Sequence, residues 1–124
     1  LGLSAAQAFI AAGANVVVVG RSEESVHSAQ NILGNNALAL SGDAVQETTA
    51  VTAINTCIEK FGTYDGLYHV AGGSGRKMGD GPLHELTLEG WNKTMELNLT
   101  SLMLSNQAAV KKLLEITFLD YPVF

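Results

Sequence analysis

Asn15-Val16-Val17-Val18-Val19-Gly20-Arg21 is the stretch that decides the fold. Four consecutive valines do not alternate with polar residues, so both faces of this strand are expected to be buried. A strand covered on both faces belongs to a parallel sheet held between helices. The run stops at Gly20, where a ligand could approach the backbone closely, and then presents a cation, Arg21. The space just past the carboxyl end of such a strand is where open α/β sheets bind nucleotides.

Outward from the valines, helix and strand alternate. Leu1 to Ala12 reads as the inside of a helix, rich in alanine (Ala5, Ala6, Ala8, Ala11, Ala12), and Gly13 closes it. Ser22 is a good N-cap, with Glu23 and Glu24 in the first turn favouring the helix dipole. Val26, Ala29, Ile32 and Leu33 give that second helix one apolar face, and Gly34 ends it. Ala37 to Ser41 is a short second strand, and a third helix runs from about Thr48 to Phe61, stopped by Gly62. Tyr64-Asp65-Gly66 turns into an expected third strand, Leu67 to Val70. A glycine-rich stretch, Ala71 to Gly75, and a loop to about Leu86 follow. The last helix begins near Thr87, another N-cap candidate, and runs through Trp91 to about Leu114. Strands separated by helices of this length imply right-handed βαβ units and a parallel sheet.

Composition sets bounds without naming a function. The chain has 124 residues, enough for one domain with a core. With 47% hydrophobic and 15% charged residues, disorder is not expected. A net charge of −5 argues against a nucleic-acid or membrane-surface binder. The lone cysteine, Cys57, excludes an internal disulfide framework and fits a reducing cytoplasm. Cys57 lies among Val51, Ile54, Ile58 and Phe61 at helical spacing, so a plain core role is expected. No apolar run approaches the roughly 18 residues of a membrane span, and no secretory signal is visible. His27 and His84 have no partner pattern, and no metal spacing is present.

Four features could carry chemistry, each beside a plainer reading. Leu1-Gly2 alone is a very weak motif. Gly20-Arg21-Ser22 follows Gly2 by the right distance, Arg21 coming 19 positions later, and no Asp or Glu occupies the strand end. In a dinucleotide-binding unit an acidic residue there binds the ribose 2′-hydroxyl, whereas arginine accommodates a 2′-phosphate. The plainer reading is an exposed arginine beginning a loop. Ala71-Gly72-Gly73 would let backbone lie against a flat ligand such as a nicotinamide ribose, or is simply a surface loop. Asn98, with Thr100 and Ser101 close behind, marks either a local distortion of the helix or an ordinary helical asparagine.

As an ordered set, these features resemble the short-chain dehydrogenase/reductase family over nearly all of Leu1 to about Leu114. The matching text is Leu1-Gly2, Val16 to Arg21, Gly42-Asp43-Ala44, Leu67 to Gly72, and Trp91 to Ser101. The spacing also agrees, including 26 positions from Gly72 to Asn98. The resemblance implies a three-layer α/β/α Rossmann-type parallel sheet, incomplete here, with residues 1–114 as a partial NADP-binding domain. It implies hydride transfer between a nicotinamide cofactor and an alcohol or ketone. Gly2 resembles the last glycine of the cofactor turn. Gly20, Arg21 and Ser22 resemble the 2′-phosphate site of members preferring NADP over NAD. Asp43 and Ala44 resemble the pair lining the adenine ring. Ala71 and Gly72, with Gly73 beside them, match the Ala-Gly of the Asn-Asn-Ala-Gly motif, and Asn98 matches the helix asparagine of the catalytic tetrad.

The departures shape the expectation. His69 and Val70 stand where the motif has two asparagines. A backbone or packing role at the cofactor-facing strand end is expected of His69 rather than acid–base work. The family's first strand, first turn glycines, catalytic serine and Tyr-x-x-x-Lys are not found: none of Tyr64, Tyr68 or Tyr121 has a lysine four positions later. Residues 115–124 no longer resemble the family. The missing strand would lie at the sheet's centre, between the valine strand and Leu67–Val70. The expectation is therefore a fragment of an enzyme, poorly stable and inactive by itself. The alternative is a non-catalytic nucleotide-binding or oligomerisation fragment. Trp91, Met95, Leu97, Leu99, Leu102, Met103, Leu104, Val110 and Leu113 exceed one apolar stripe. In the family this helix often packs on its copy, so a homodimer or homotetramer through residues 87–114 is expected.

Overall fold

The computed structural model describes residues 1–120, with side chains through Thr117. Five α-helices and two strands follow one another where four helices and three strands were expected: α1 (Gly2–Ala11), β1 (Val16–Gly20), α2 (Glu23–Leu33), β2 (Ala37–Ser41), α3 (Glu47–Phe61), α4 (Leu88–Met95) and α5 (Ser101–Asp120). The punctuation acts locally. Ser22 Oγ accepts from Ser25 N–H at 3.2 Å and caps α2, and Thr87 Oγ1 accepts from Gly90 N–H at 3.0 Å and caps α4. Gly62 ends α3 in the left-handed region, φ 84°, where its N–H reaches Ile58 O.

β1 and β2 pair in parallel, with Val16 opposite Ala37 and Gly20 opposite Ser41. The valine run is covered only in part: Val16, Val17 and Val18 are half-buried and Val19 is exposed to 42%, so the expected burial of both faces is not reached. Val16 and Val18 pack with Ile10 on a cluster of Ala6, Leu33 and Ala37, which brings α1 and α2 onto one face. Val19 faces the threonines of α3 on the other. A second cluster, Ile54, Tyr64 and Ala109, joins α3 to α5 with help from Ile58, Leu113 and Ile116. These are the three layers of an incomplete α/β/α Rossmann-type sheet.

β2 has a second edge, and α2 covers it. The Gln30 amide donates to Ala37 O at 3.1 Å and accepts from Ala39 N–H at 2.9 Å. One side chain thereby satisfies strand groups that would otherwise stay unpaired.

Two expectations need correction. Leu67–Val70 is not a strand: the sheet has the order β1-β2 and holds no third member among the described residues. A strand is a paired element, and this segment has no hydrogen-bonded neighbour to pair with. Leu67, Tyr68 and Val70 are exposed, Tyr68 to 63%, and the Tyr68 ring meets Phe9 of α1 edge-on at 5.9 Å. The last helix is also neither continuous nor finished at Leu114. A π turn over Glu96–Thr100 divides it, and α5 continues to Asp120. Beyond Leu114, Glu115 pairs with Lys112 at 2.7 Å, Ile116 packs on the second cluster, and Thr117 Oγ1 donates to Leu113 O. The boundary expected at 114 thus falls inside a helix, and the rest of the tail, 121–124, lies outside the described residues.

Candidate active site

The expected site residues assemble as two groups. The first lies at the carboxyl ends of the parallel strands. Gly42 N–H donates to Gly20 O at 2.9 Å, which ties the end of β2 to that of β1. A Cβ on Gly20 would stand 3.1 Å from Ser25 Oγ, so glycine lets α2 start directly behind the strand. Arg21 is exposed and has no ion-pair partner among the described residues. Ser22 Oγ uses a lone pair to cap α2, which leaves its hydroxyl hydrogen free to donate outward. Asp43 O accepts from Thr49 Oγ1 at 2.7 Å and from Gln46 N–H at 3.0 Å, starting the turn into α3. Asp43 Oδ1 accepts from Val45 N–H at 3.3 Å, and Ala44 follows half-buried. Beside this turn, Val19, Leu40, Ser41, Thr48, Thr49 and Thr52 line a cleft of about 220 Å³.

The second group forms where the glycine-rich segment crosses α4 and the π turn. Asn98 Oδ1 accepts from Gly73 N–H at 3.1 Å, while Nδ2 donates to Gly73 O and, at 2.7 Å, to Thr94 O. A Cβ on Gly72 would stand 2.7 Å from Asn98 Oδ1, so only glycine permits this approach. Of the two readings of Asn98, the structure has the local distortion of the helix and not an ordinary helical turn. The Ser101 N–H bonds back to Glu96 O, five residues away, as a π turn requires, and Ser101 Oγ donates to Leu97 O at 2.7 Å. His69 stands beside the group with a bonding role: its ring contacts Ala71 O at 2.9 Å and Ser105 Oγ at 2.8 Å. Gly2 opens α1 nearby, its Cβ position 4.0 Å from Val70 Cβ. No hydrogen bond joins the two groups among the described residues.

Several participants gave no signal alone in the sequence. Thr94 Oγ1 accepts from Gly75 N–H and donates to Asp80 Oδ2, both at 2.8 Å, and Ser74 Oγ donates to the same carboxylate oxygen. These bonds, Thr94 first and Ser74 next, hold the Asp80 carboxyl below the usual carboxylate range. Gly75 and Gly90 allow the loop to touch α4: a Cβ on Gly75 would stand 2.6 Å from Gly90 O. The one readable hint was spacing, since Thr94 and Asn98 are four apart and share a helix face. Cys57 is half-buried, with its thiol pushed up by burial and then by the Asp65 charge, as a core residue should be. Among the described residues no three metal-ligating side chains converge, and no helix is long and apolar enough to cross a membrane.

Comparison with known proteins identifies the family and the fold. A family described as enoyl-(acyl carrier protein) reductase matches residues 1–116. The chain is similar to a 2,5-dichloro-2,5-cyclohexadiene-1,4-diol dehydrogenase of Sphingobium indicum, found in two strains, at 33% identity over 119 residues. That alignment covers 92% of this chain and 46% of the dehydrogenase. Among solved structures, a short chain dehydrogenase from Bacillus anthracis is similar with a TM-score of 0.80 at 27% identity, over 92% of this chain and 46% of that one. A short-chain dehydrogenase/reductase (glucose/ribitol dehydrogenase) from Brucella melitensis shares the fold, with a TM-score of 0.66 at 22% identity, over 90% and 47% of the two chains. The chain spans about half the length of the relatives it matches.

Proposed function

Because the chain belongs to the short-chain dehydrogenase/reductase family of oxidoreductases, we propose that it forms the NADP-binding half of an enzyme acting on an alcohol or ketone. The observation that carries the cofactor reading is Arg21. Its guanidinium stands exposed past β1, with the unused Ser22 hydroxyl hydrogen beside it and no Asp or Glu among residues 20–22. Guanidinium and hydroxyl are both donors, and a 2′-phosphate offers only acceptors. Asp43 and Ala44 beside the cleft would receive the adenine, and Gly2 at the start of α1 the pyrophosphate. Ala71, Gly72 and Gly73 would lie against the nicotinamide ribose, because the Asn98 contact leaves no room for a side chain at Gly72. When bound, the nicotinamide would give the hydride to a ketone or take it from an alcohol. This chain's residues orient it: Asn98 fixes Gly73 through both its N–H and its carbonyl.

The alcohol or ketone class takes support from the similarity to a diol dehydrogenase. The matching family description instead names reduction of an enoyl group, so both substrate classes belong in the assay. The test of the cofactor reading is Arg21→Asp in the protein from the full reading frame. It replaces attraction to the 2′-phosphate by repulsion, so the NADP-to-NAD ratio of kcat/KM should fall about tenfold or more. An unchanged ratio would refute the assignment.

Oligomerisation through the long helix is part of the same proposal. Trp91, Leu99, Leu102, Met103, Val110 and Leu114 are exposed large hydrophobics along α4, the π turn and α5. A second copy of the helix would cover them, giving a homodimer or homotetramer. Sedimentation of the full protein as a monomer alone would count against it.

A further inference from the structure

The segment from Ala71 to Gly75 belongs to no sheet, so its backbone is held by side chains instead. Thr94 holds the Gly75 N–H, and Asn98 holds both groups of Gly73. Ala71 is held by His69: ring Nε2 lies 2.9 Å from Ala71 O. A carbonyl only accepts, so Nε2 carries the proton of that bond. Nδ1 then faces Ser105 Oγ at 2.8 Å. Ser105 is itself 7% exposed on α5, and its hydroxyl also lies 3.1 Å from Leu102 O. Ser101, 1% exposed, stands 3.5 Å from Nε2 and closes the third side of the ring. The ring is thus a strut from a buried helix face to one carbonyl.

We infer that His69 is a positioning residue: anchored on Ser105, its ring sets the Ala71 carbonyl and with it the Ala71-Gly72-Gly73 backbone that receives the nicotinamide ribose. The inference rests on the proposed cofactor site. It follows that the bond that matters for the cofactor is the one to Ala71, while the bond to Ser105 supports it.

Two substitutions separate those bonds. A glutamine amide reaches about as far as Nε2, so His69→Gln keeps a donor for Ala71 O and gives up Ser105. An asparagine amide reaches only about as far as Nδ1, so His69→Asn keeps Ser105 and gives up Ala71 O. Each variant forfeits one hydrogen bond, so a purely structural role would lower both melting temperatures and both affinities alike. NADPH titration of the full protein, followed by nicotinamide fluorescence, reads the difference. His69→Asn should weaken NADPH binding about fivefold, the equivalent of one hydrogen bond, and His69→Gln should stay within about twofold of wild type. Equal affinities for the two variants would overturn the inference. Wild-type protein that fails to bind NADPH would overturn the proposed function, and this inference with it. If His69→Asn does not fold, Ser105→Ala removes the same bond as His69→Gln and should likewise stay within about twofold of wild type; a loss of about fivefold or more would place the bond that matters at Ser105 and overturn the inference.

Discussion

Asn98→Asp exchanges an amide for a carboxylate of the same shape, and the surroundings of Asn98 make it worse than removing the side chain. The amide accepts once, from Gly73 N–H, and donates twice, to Gly73 O and Thr94 O. A carboxylate keeps the acceptor, loses both donors and turns an oxygen toward two carbonyl oxygens. Each lost donor bond costs about 1 kcal/mol net, and the anion against two carbonyls adds a similar amount. Asn98 is only half-buried, so water relieves part of this and the total stays at about 3 kcal/mol. Asn98→Ala forfeits all three bonds but opens space beside exposed Gly73, where water can take over, at a cost of about 1–2 kcal/mol.

Urea unfolding of the full protein reads that order directly. Amide exchange at Gly73 supplies an independent reading with the opposite ranking. The carboxylate still accepts from Gly73 N–H, more strongly than the amide does, so Asn98→Asp should keep that amide protected. Asn98→Ala should release it. Asn98→Asp unfolding no more easily than Asn98→Ala would refute this account of the site. So would a Gly73 amide that exchanges at one rate in all three proteins.

Three other predictions concern the surroundings. In Gly90→Ala the new methyl would fall on the backbone of Gly79 and Asp80, whereas at Gly81 nothing lies within 4 Å; after about 1 kcal/mol of gained helix propensity, Gly90→Ala should still cost about 2 kcal/mol in urea and Gly81→Ala about 0.5 at most. Because hydrogen bonds lower the Asp80 carboxyl, its contribution is present above the ordinary value of about 3.9 and is lost as pH falls through the lower folded value; Asp80→Asn should therefore flatten the acid limb of stability below about pH 4, and an acid limb identical to wild type would contradict a stabilising role for the Thr94 and Ser74 bonds to Asp80. Cys57 should react with iodoacetamide much more slowly in native than in urea-unfolded protein at pH 8, since burial raises its thiol; equal rates would place the thiol outside the core.

What could be read from the sequence was what is decided within a few residues. Ser22 and Thr87 bond to amides three positions on, and Gly62 closes a turn on Ile58. The valine run needed only the absence of alternation. The bonds that shape the site span larger distances: Asp80 to Thr94 is 14 residues, Gly73 to Asn98 is 25, and His69 to Ser105 is 36. No periodicity encodes them. Asn98 could be picked out as a polar residue inside a helix, and the family resemblance gave it a role, but neither named Gly73 or Thr94 as its partner.

Leu67-Tyr68-His69-Val70 shows why one expectation failed. Its residues suit a strand in composition, yet strand formation belongs to a pair and not to a segment. With no ladder to hold it, the chain from Ala71 to Gly75 takes its geometry from His69, Thr94 and Asn98. Backbone fixed by three separate side chains is open to single substitutions in a way that a sheet ladder is not, because each carbonyl or amide depends on one residue. That makes the glycine segment the place where binding and stability should part company. Substitutions at His69 would be felt at Ala71, those at Asn98 at Gly73, and those at Thr94 at Gly75. A ligand lying along the segment would sense each of them separately.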